Sequence, residues 1–153
     1  MELSCFNSYD IRGEIGENFN EDIVYRIARS VAQHLNAKYV VISFDARETS
    51  FPFASSAIKG VRDSGACAIM IGMAGTEEMY CAVNEFRACA GIAITASHNP
   101  INFNGMKIVK SMAQPMDYDL DTLAIKKLAE SKNWNQISEI GQIEYKISEA
   151  KDL

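Results

Sequence analysis

Two kinds of apolar pattern alternate along most of this chain. Ile23, Ile27, Val31 and Leu35, joined by Val24, Ala28 and Ala32, recur at helical spacing and predict an amphipathic helix. Asn20 can cap it, and Glu21 and Asp22 sit in its first turn, where the helix dipole favours acids. Tyr39-Val40-Val41-Ile42-Ser43-Phe44 then runs apolar without interruption, as a strand covered on both faces does. The alternation repeats. A helix over about 52–64 carries Pro52 in its first turn and ends at Gly65. Cys67-Ala68-Ile69-Met70-Ile71 reads as the next covered strand. Thr76 is expected to cap a helix reaching about residue 87, with Glu77 and Glu78 in its first turn. Gly91 to Thr95 follows as a third strand and Gly105 to Val109 as a fourth. A last helix is predicted over 118–131, with Leu120, Leu123 and Leu128 on its buried side.

Strands alternating with helices of this length predict an α/β fold: a three-layer α/β/α domain with a mixed, mostly parallel sheet. The short return from the third strand to the fourth allows an antiparallel pairing. Residues 132–153 lose this periodicity; Ile143, Tyr145 and Ile147 alternate like a short strand, but nothing follows for them to pair with.

The 153 residues suffice for one domain with a real core and are few for two. With 48% hydrophobic and 23% charged residues, the balance is that of a soluble globular protein. No apolar run approaches the roughly 18 residues of a membrane helix. The start, Met1-Glu2-Leu3-Ser4, lacks a secretory pattern. A net charge of −5, from 15 basic and 20 acidic residues, argues against nucleic acid or an anionic membrane as partner. It leaves room for a phosphorylated substrate, which needs only a local group of cations. Cys5, Cys67, Cys81 and Cys89 have no metal-site spacing and are expected as reduced, mostly buried thiols, which fits a cytoplasmic protein.

Candidate chemistry gathers at strand ends. Thr95-Ala96-Ser97-His98-Asn99-Pro100 follows the third strand, and such a turn offers the Ser97 hydroxyl as a nucleophile or phosphate carrier. A serine before Asn-Pro also serves as a plain turn former. A hydrolase triad is disfavoured: the Gly-x-Ser-x-Gly elbow is absent, and His98 would point away from its neighbour. His34 falls near a helix C-terminus, a position a dipole alone accounts for. Tyr9-Asp10-Ile11-Arg12-Gly13 reads as a strand end. Phe44-Asp45-Ala46-Arg47-Glu48-Thr49-Ser50 reads as a polar loop in which Asp45 and Arg47 can pair. Asn104-Gly105-Met106-Lys107 combines close backbone approach with a point charge, and Gly72-Met73-Ala74-Gly75-Thr76 feeds a helix N-terminus. A hydroxyl, two arginines and a lysine on one sheet edge have the composition of a phosphate site. An enzyme and a non-enzymatic phosphate-binding module both remain open on that composition.

These motifs, in this order and spacing across about residues 5–130, resemble the N-terminal domain of the α-D-phosphohexomutases, the group of phosphomannomutases and phosphoglucomutases. The resemblance implies that Ser97 is a phosphoserine which passes its phosphoryl group to a hexose phosphate through a hexose 1,6-bisphosphate, and whose phosphate ligates Mg²⁺. It implies that Lys107 and His98 surround that phosphate, with Lys107 handling the proton at the sugar hydroxyl. Tyr9 and Arg12 position the phosphoserine, and Asn99 and Arg47 belong to the phosphate-binding set. The stretch Gly75-Thr76-Glu77-Glu78-Met79-Tyr80 looks like that of bacterial phosphomannomutases serving GDP-mannose synthesis. Mannose phosphate is therefore preferred over glucose or glucosamine phosphate. On the same basis residues 1–134 form the phosphoserine domain and 135–153 begin the link to a second domain. That domain would hold the remaining Mg²⁺ ligands, and this piece would be inactive without it.

Overall fold

The computed structural model describes residues 2–7 and 10–147. Continuously apolar runs become central strands: β2 (Tyr39–Phe44), β3 (Cys67–Met73) and β4 (Ala90–Ile94), after the edge strand β1 (Ile11–Glu14). The sheet continues with β5 (Phe103–Lys110), β6 (Gln114–Pro115) and β7 (Ile143–Tyr145). Its order is β1-β5-β4-β2-β3-β7, with β6 paired to β5. β2 pairs parallel with both β3 and β4, and β7 parallel with β3. β5 is antiparallel to β1, β4 and β6, so it alone runs against the other strands. The sheet is mixed but largely one-directional, as the alternation predicts.

Helices α1 (Glu21–His34) and α2 (Ser50–Asp63) cover one face, with α4 (Leu123–Ser131) beside α1. Helix α3 (Thr76–Glu85) covers the other. Alternate strand residues feed the two cores: Val40, Ile42, Ile92 and Ile94 toward α1 and α2, and Val41, Ile69, Ile71 and Ala93 toward α3. Asn20 caps α1 as expected, its Oδ1 accepting from Ile23 N at 2.8 Å. α1 and α2 pack backbone to backbone through Gly60, where a Cβ would lie 2.5 Å from the Tyr25 carbonyl oxygen and 3.0 Å from Arg29 N.

Three expectations need correction. Thr76 is the first residue of α3 and not its cap; Gly75 precedes it, its N–H donating to Glu78 Oε1 at 3.2 Å. The last helix has another phase: Leu120 and Leu123 are 73% and 42% exposed, while Ile125 and Ala129 are buried. It opens with a π-turn, Tyr118–Thr122, in which Asp121 turns inward in place of Leu120. Asp121 receives Lys110 Nζ and the Asp117 N–H, each at 2.9 Å, and lies 2.9 Å from His34 Nε2. Burial opposes its ionisation, but these partners together outweigh it and bring the carboxyl down to about 2. Finally, the 143–145 strand does have a partner, the earlier strand β3. The intervening chain is pinned by Trp134, whose Nε1 donates to Ser30 Oγ at 3.0 Å while Arg29 stacks over its ring at 4.4 Å.

Among the described residues no helix is long and apolar enough to cross a membrane. All four cysteines are free, but only Cys5 is fully buried, and Cys81 on α3 is exposed. Burial pushes the Cys5 thiol up to about 11. Burial, then a hydrogen bond to Glu144, does the same for Cys67.

Candidate phosphate-handling site

The site lies at the edge of the sheet where β2 and β4 end and β5 begins. β4 stops at Ile94, and the backbone leaves the sheet with Thr95 N donating to Gly105 O at 2.9 Å. Ser97 then adopts a left-handed conformation, φ 55°, which is uncommon for a residue with a side chain. Thr95 Oγ1 accepts from Ser97 N at 3.0 Å, and Ala96 O accepts from Asn99 N at 3.1 Å, closing the turn. Ser97 and His98 both stand exposed on it. Among the described residues no hydrogen bond joins the two, so the geometry offers no serine–histidine pair.

Arg47 lies across this loop. It leaves the carboxyl end of β2, and its two terminal nitrogens reach four carbonyl oxygens. Nη1 donates to Pro100 O at 2.6 Å and Phe103 O at 3.0 Å; Nη2 donates to Ser97 O at 3.2 Å and to Asn99 O. The expected pairing with Asp45 is long, 3.9 Å from Nε to Oδ2. Asp45 instead shapes the turn: its Oδ1 accepts from Arg47 N at 3.1 Å and from Ser50 Oγ at 2.5 Å. The buried Asn104 joins this network, donating from Nδ2 to Thr49 Oγ1 and Ser50 Oγ, both at 2.9 Å. Asn104 Oδ1 accepts from Gly105 N at 2.8 Å.

Arg12 approaches from β1. Its Nη1 donates to Asn99 Oδ1 at 2.7 Å, and Nη2 meets Asp10 Oδ2 at 2.7 Å. Its Nε is buried with no partner among the described residues. Arg12 on β1 pairs with Gly105 of β5, and Lys107, two residues further along β5, pairs with Ala93, so both cations project on the α3 face of the sheet. Gly105 permits this approach: a Cβ there would collide with Ile11 O and lie 3.1 Å from Thr95 O. Tyr9 lies outside the described residues.

The structure thus gathers Ser97, His98, Asn99, Arg12, Arg47 and Lys107 at one edge. Arg47 has its terminal N–H groups on loop carbonyls and none turned outward to a phosphate. Sequence reasoning quotes Thr95, Ser50 and Asn104 within its motifs but gives none of them a role in the site. A fully buried asparagine at a strand start was the one available sign, and burial is invisible in a single sequence. The glycine loop 72–76 leads into α3 at the end of β3 and, among the described residues, makes no hydrogen bond to the serine turn.

Asp10 and Asp45 are already engaged, by Arg12 and by Ser50 with the Arg47 N–H. Among the described residues no group of three His, Cys, Asp or Glu could hold a metal ion. They do not make a magnesium site by themselves.

A three-layer α/β/α domain carrying an exposed serine turn beside two cations defines a known class. The model of the family described as "Phosphoglucomutase/phosphomannomutase, alpha/beta/alpha domain I" matches residues 4–136, and the chain belongs to that family. Among its relatives, the phosphomannomutase of Salmonella typhimurium is 40% identical over 151 residues, covering 99% of this chain and 33% of the relative. A Klebsiella pneumoniae phosphomannomutase is 43% identical over 133 residues, 87% of this chain and 85% of that sequence. The chain thus spans about a third of the length of most of these relatives. Among solved structures, a phosphoglucomutase/phosphomannomutase family protein from Burkholderia thailandensis shares the fold. Its TM-score is 0.83 at 24% identity, over 95% of this chain and 33% of that one.

Proposed function

We propose that this chain is the phosphoserine domain of a phosphohexomutase that interconverts mannose 6-phosphate and mannose 1-phosphate. The observation that carries this reading is the Ser97 turn. An exposed hydroxyl sits on a left-handed residue at a strand end, with Arg12 and Lys107 on the adjoining sheet face. Phosphoryl transfer asks the protein mainly for in-line positioning and charge stabilisation, and this edge supplies both. The P–Oγ bond of phosphoserine 97 breaks as a bond from phosphorus to the sugar hydroxyl oxygen forms. The Lys107 ammonium gives a proton to the departing Ser97 oxygen and takes the sugar hydroxyl's proton in exchange, so the serine is left as its hydroxyl and the lysine as a cation. Arg12, already oriented by Asn99 and Asp10, neutralises charge on the moving group. His98 faces the phosphate from the loop, and Tyr9 steadies it. The hexose 1,6-bisphosphate then returns its other phosphoryl group to Ser97.

The names of the curated relatives support mannose phosphate as the substrate. Magnesium, which the resemblance implies, would meet the Ser97 phosphate here and take its carboxylates from elsewhere in the polypeptide, so this domain alone turns over no substrate. A cytoplasmic location suits a sugar phosphate substrate. The test is Ser97→Ala in the polypeptide that joins this chain to its remaining domains. Interconversion of the two mannose phosphates should be abolished; activity within about tenfold of the unaltered protein would overturn the assignment.

A further inference from the structure

We infer that Arg47 is the positioning residue of the serine loop: its guanidinium serves as a four-carbonyl clamp and not as a phosphate ligand. The inference rests on the phosphoserine reading for its functional consequence, though not for its geometry. A guanidinium carries a planar fork of donors with fixed directions. Here the terminal pair is directed at the carbonyls of Ser97, Asn99, Pro100 and Phe103, while Nε stays beside Asp45. One side chain thereby ties both ends and the middle of the loop to the turn after β2.

The clamp explains how Ser97 stays where it is. A left-handed residue with a side chain is unfavourable, so an unrestrained serine would relax toward extended backbone and carry its hydroxyl away. Two restraints oppose this. Thr95 Oγ1 holds the Ser97 N–H at 3.0 Å, and Arg47 holds the Ser97 carbonyl. Arg47 is itself fixed from beneath through Asp45, Ser50 and the buried Asn104. The Asp45-x-Arg47 spacing then has a mechanical meaning: the aspartate shapes the turn and the arginine spans from it to the neighbouring strand's loop. Its positive charge lies against the loop, and phosphate recognition falls to Arg12 and Lys107.

The discriminating variants are Arg47→Lys and Arg47→Ala, with Glu48→Ala, an exposed neighbour in the same turn, as control. A lysine keeps the charge but cannot span four carbonyls; loss of a clamp loosens the loop backbone, whereas loss of a phosphate ligand leaves it as it was. In the 153-residue chain, amide hydrogen exchange at Asn99 and Phe103 should quicken about tenfold or more in both Arg47 variants. Core amides of β2 should be unchanged, as should the loop in Glu48→Ala. Should the alanine variant fail to fold, the lysine variant carries the test. In the longer polypeptide, transfer to Ser97 should fall about a hundredfold in Arg47→Lys, with KM for the sugar phosphate within about twofold. Unchanged loop exchange, or transfer rescued by lysine, overturns the inference. If unaltered protein never phosphorylates Ser97, the phosphoserine reading fails, and loop exchange alone still decides the clamp.

Discussion

Removing the carboxylate of Asp121 should destabilise the domain by about 2 kcal/mol at neutral pH and by almost nothing near pH 2. Asp121 draws three elements together: Lys110 at the end of β5, His34 at the end of α1, and the π-turn that opens α4. Its carboxyl falls from 3.8 to about 2 on folding, because the hydrogen bonds from Lys110, Asp117 N and His34 outweigh the burial that opposes ionisation. That difference corresponds to about 2.5 kcal/mol, trimmed to about 2 because Lys110 is partly solvated. The folded state binds this proton less readily than the unfolded state, so the contribution is complete above about pH 5. It is lost as pH falls through 4 toward 2. Urea unfolding of the wild type and Asp121→Asn at pH 6.5 and at pH 2.5 measures it. A gap of about 2 kcal/mol at the higher pH that falls to about a third of that at the lower is expected. A gap below 0.5 kcal/mol at pH 6.5, or one that persists unchanged into acid, would refute the reasoning.

Gly105→Ala should lose about 2–3 kcal/mol, since its methyl would meet the Ile11 carbonyl on β1 and the Thr95 carbonyl just past β4. A wild-type urea midpoint would contradict this. In native protein a thiol reagent at pH 8 should label the exposed Cys81 first. Cys5, fully buried with its thiol pushed up to about 11, should react only on unfolding. Native labelling of Cys5 at a rate near that of Cys81 would count against the packing described for it.

What the sequence discloses depends on the range of the forces involved. α1 and β2 are legible because period, cap and apolar run agree within a dozen residues. The phase of α4 is not. Asp121 is drawn inward by Lys110 and His34, 11 and 87 residues away in sequence, and local periodicity therefore favours Leu120 wrongly. The partner of Ile143–Tyr145 is hidden for a similar reason, since β3 lies far back along the chain. At the site, the motifs place Ser97, Arg12 and Lys107 on one edge without a structure. The task of Arg47 is illegible because its acceptors are backbone carbonyls, which every residue has and no pattern of side chains displays.

The central claim is that Ser97 carries the phosphoryl group. The most direct measurement is peptide mapping of the polypeptide that bears this chain with its remaining domains, after exposure to mannose 1,6-bisphosphate. The account predicts a single phosphate on the peptide containing Thr95 to Pro100, located at Ser97 and absent from Ser97→Ala. A phosphate on another residue, or turnover with Ser97 never modified, would contradict it.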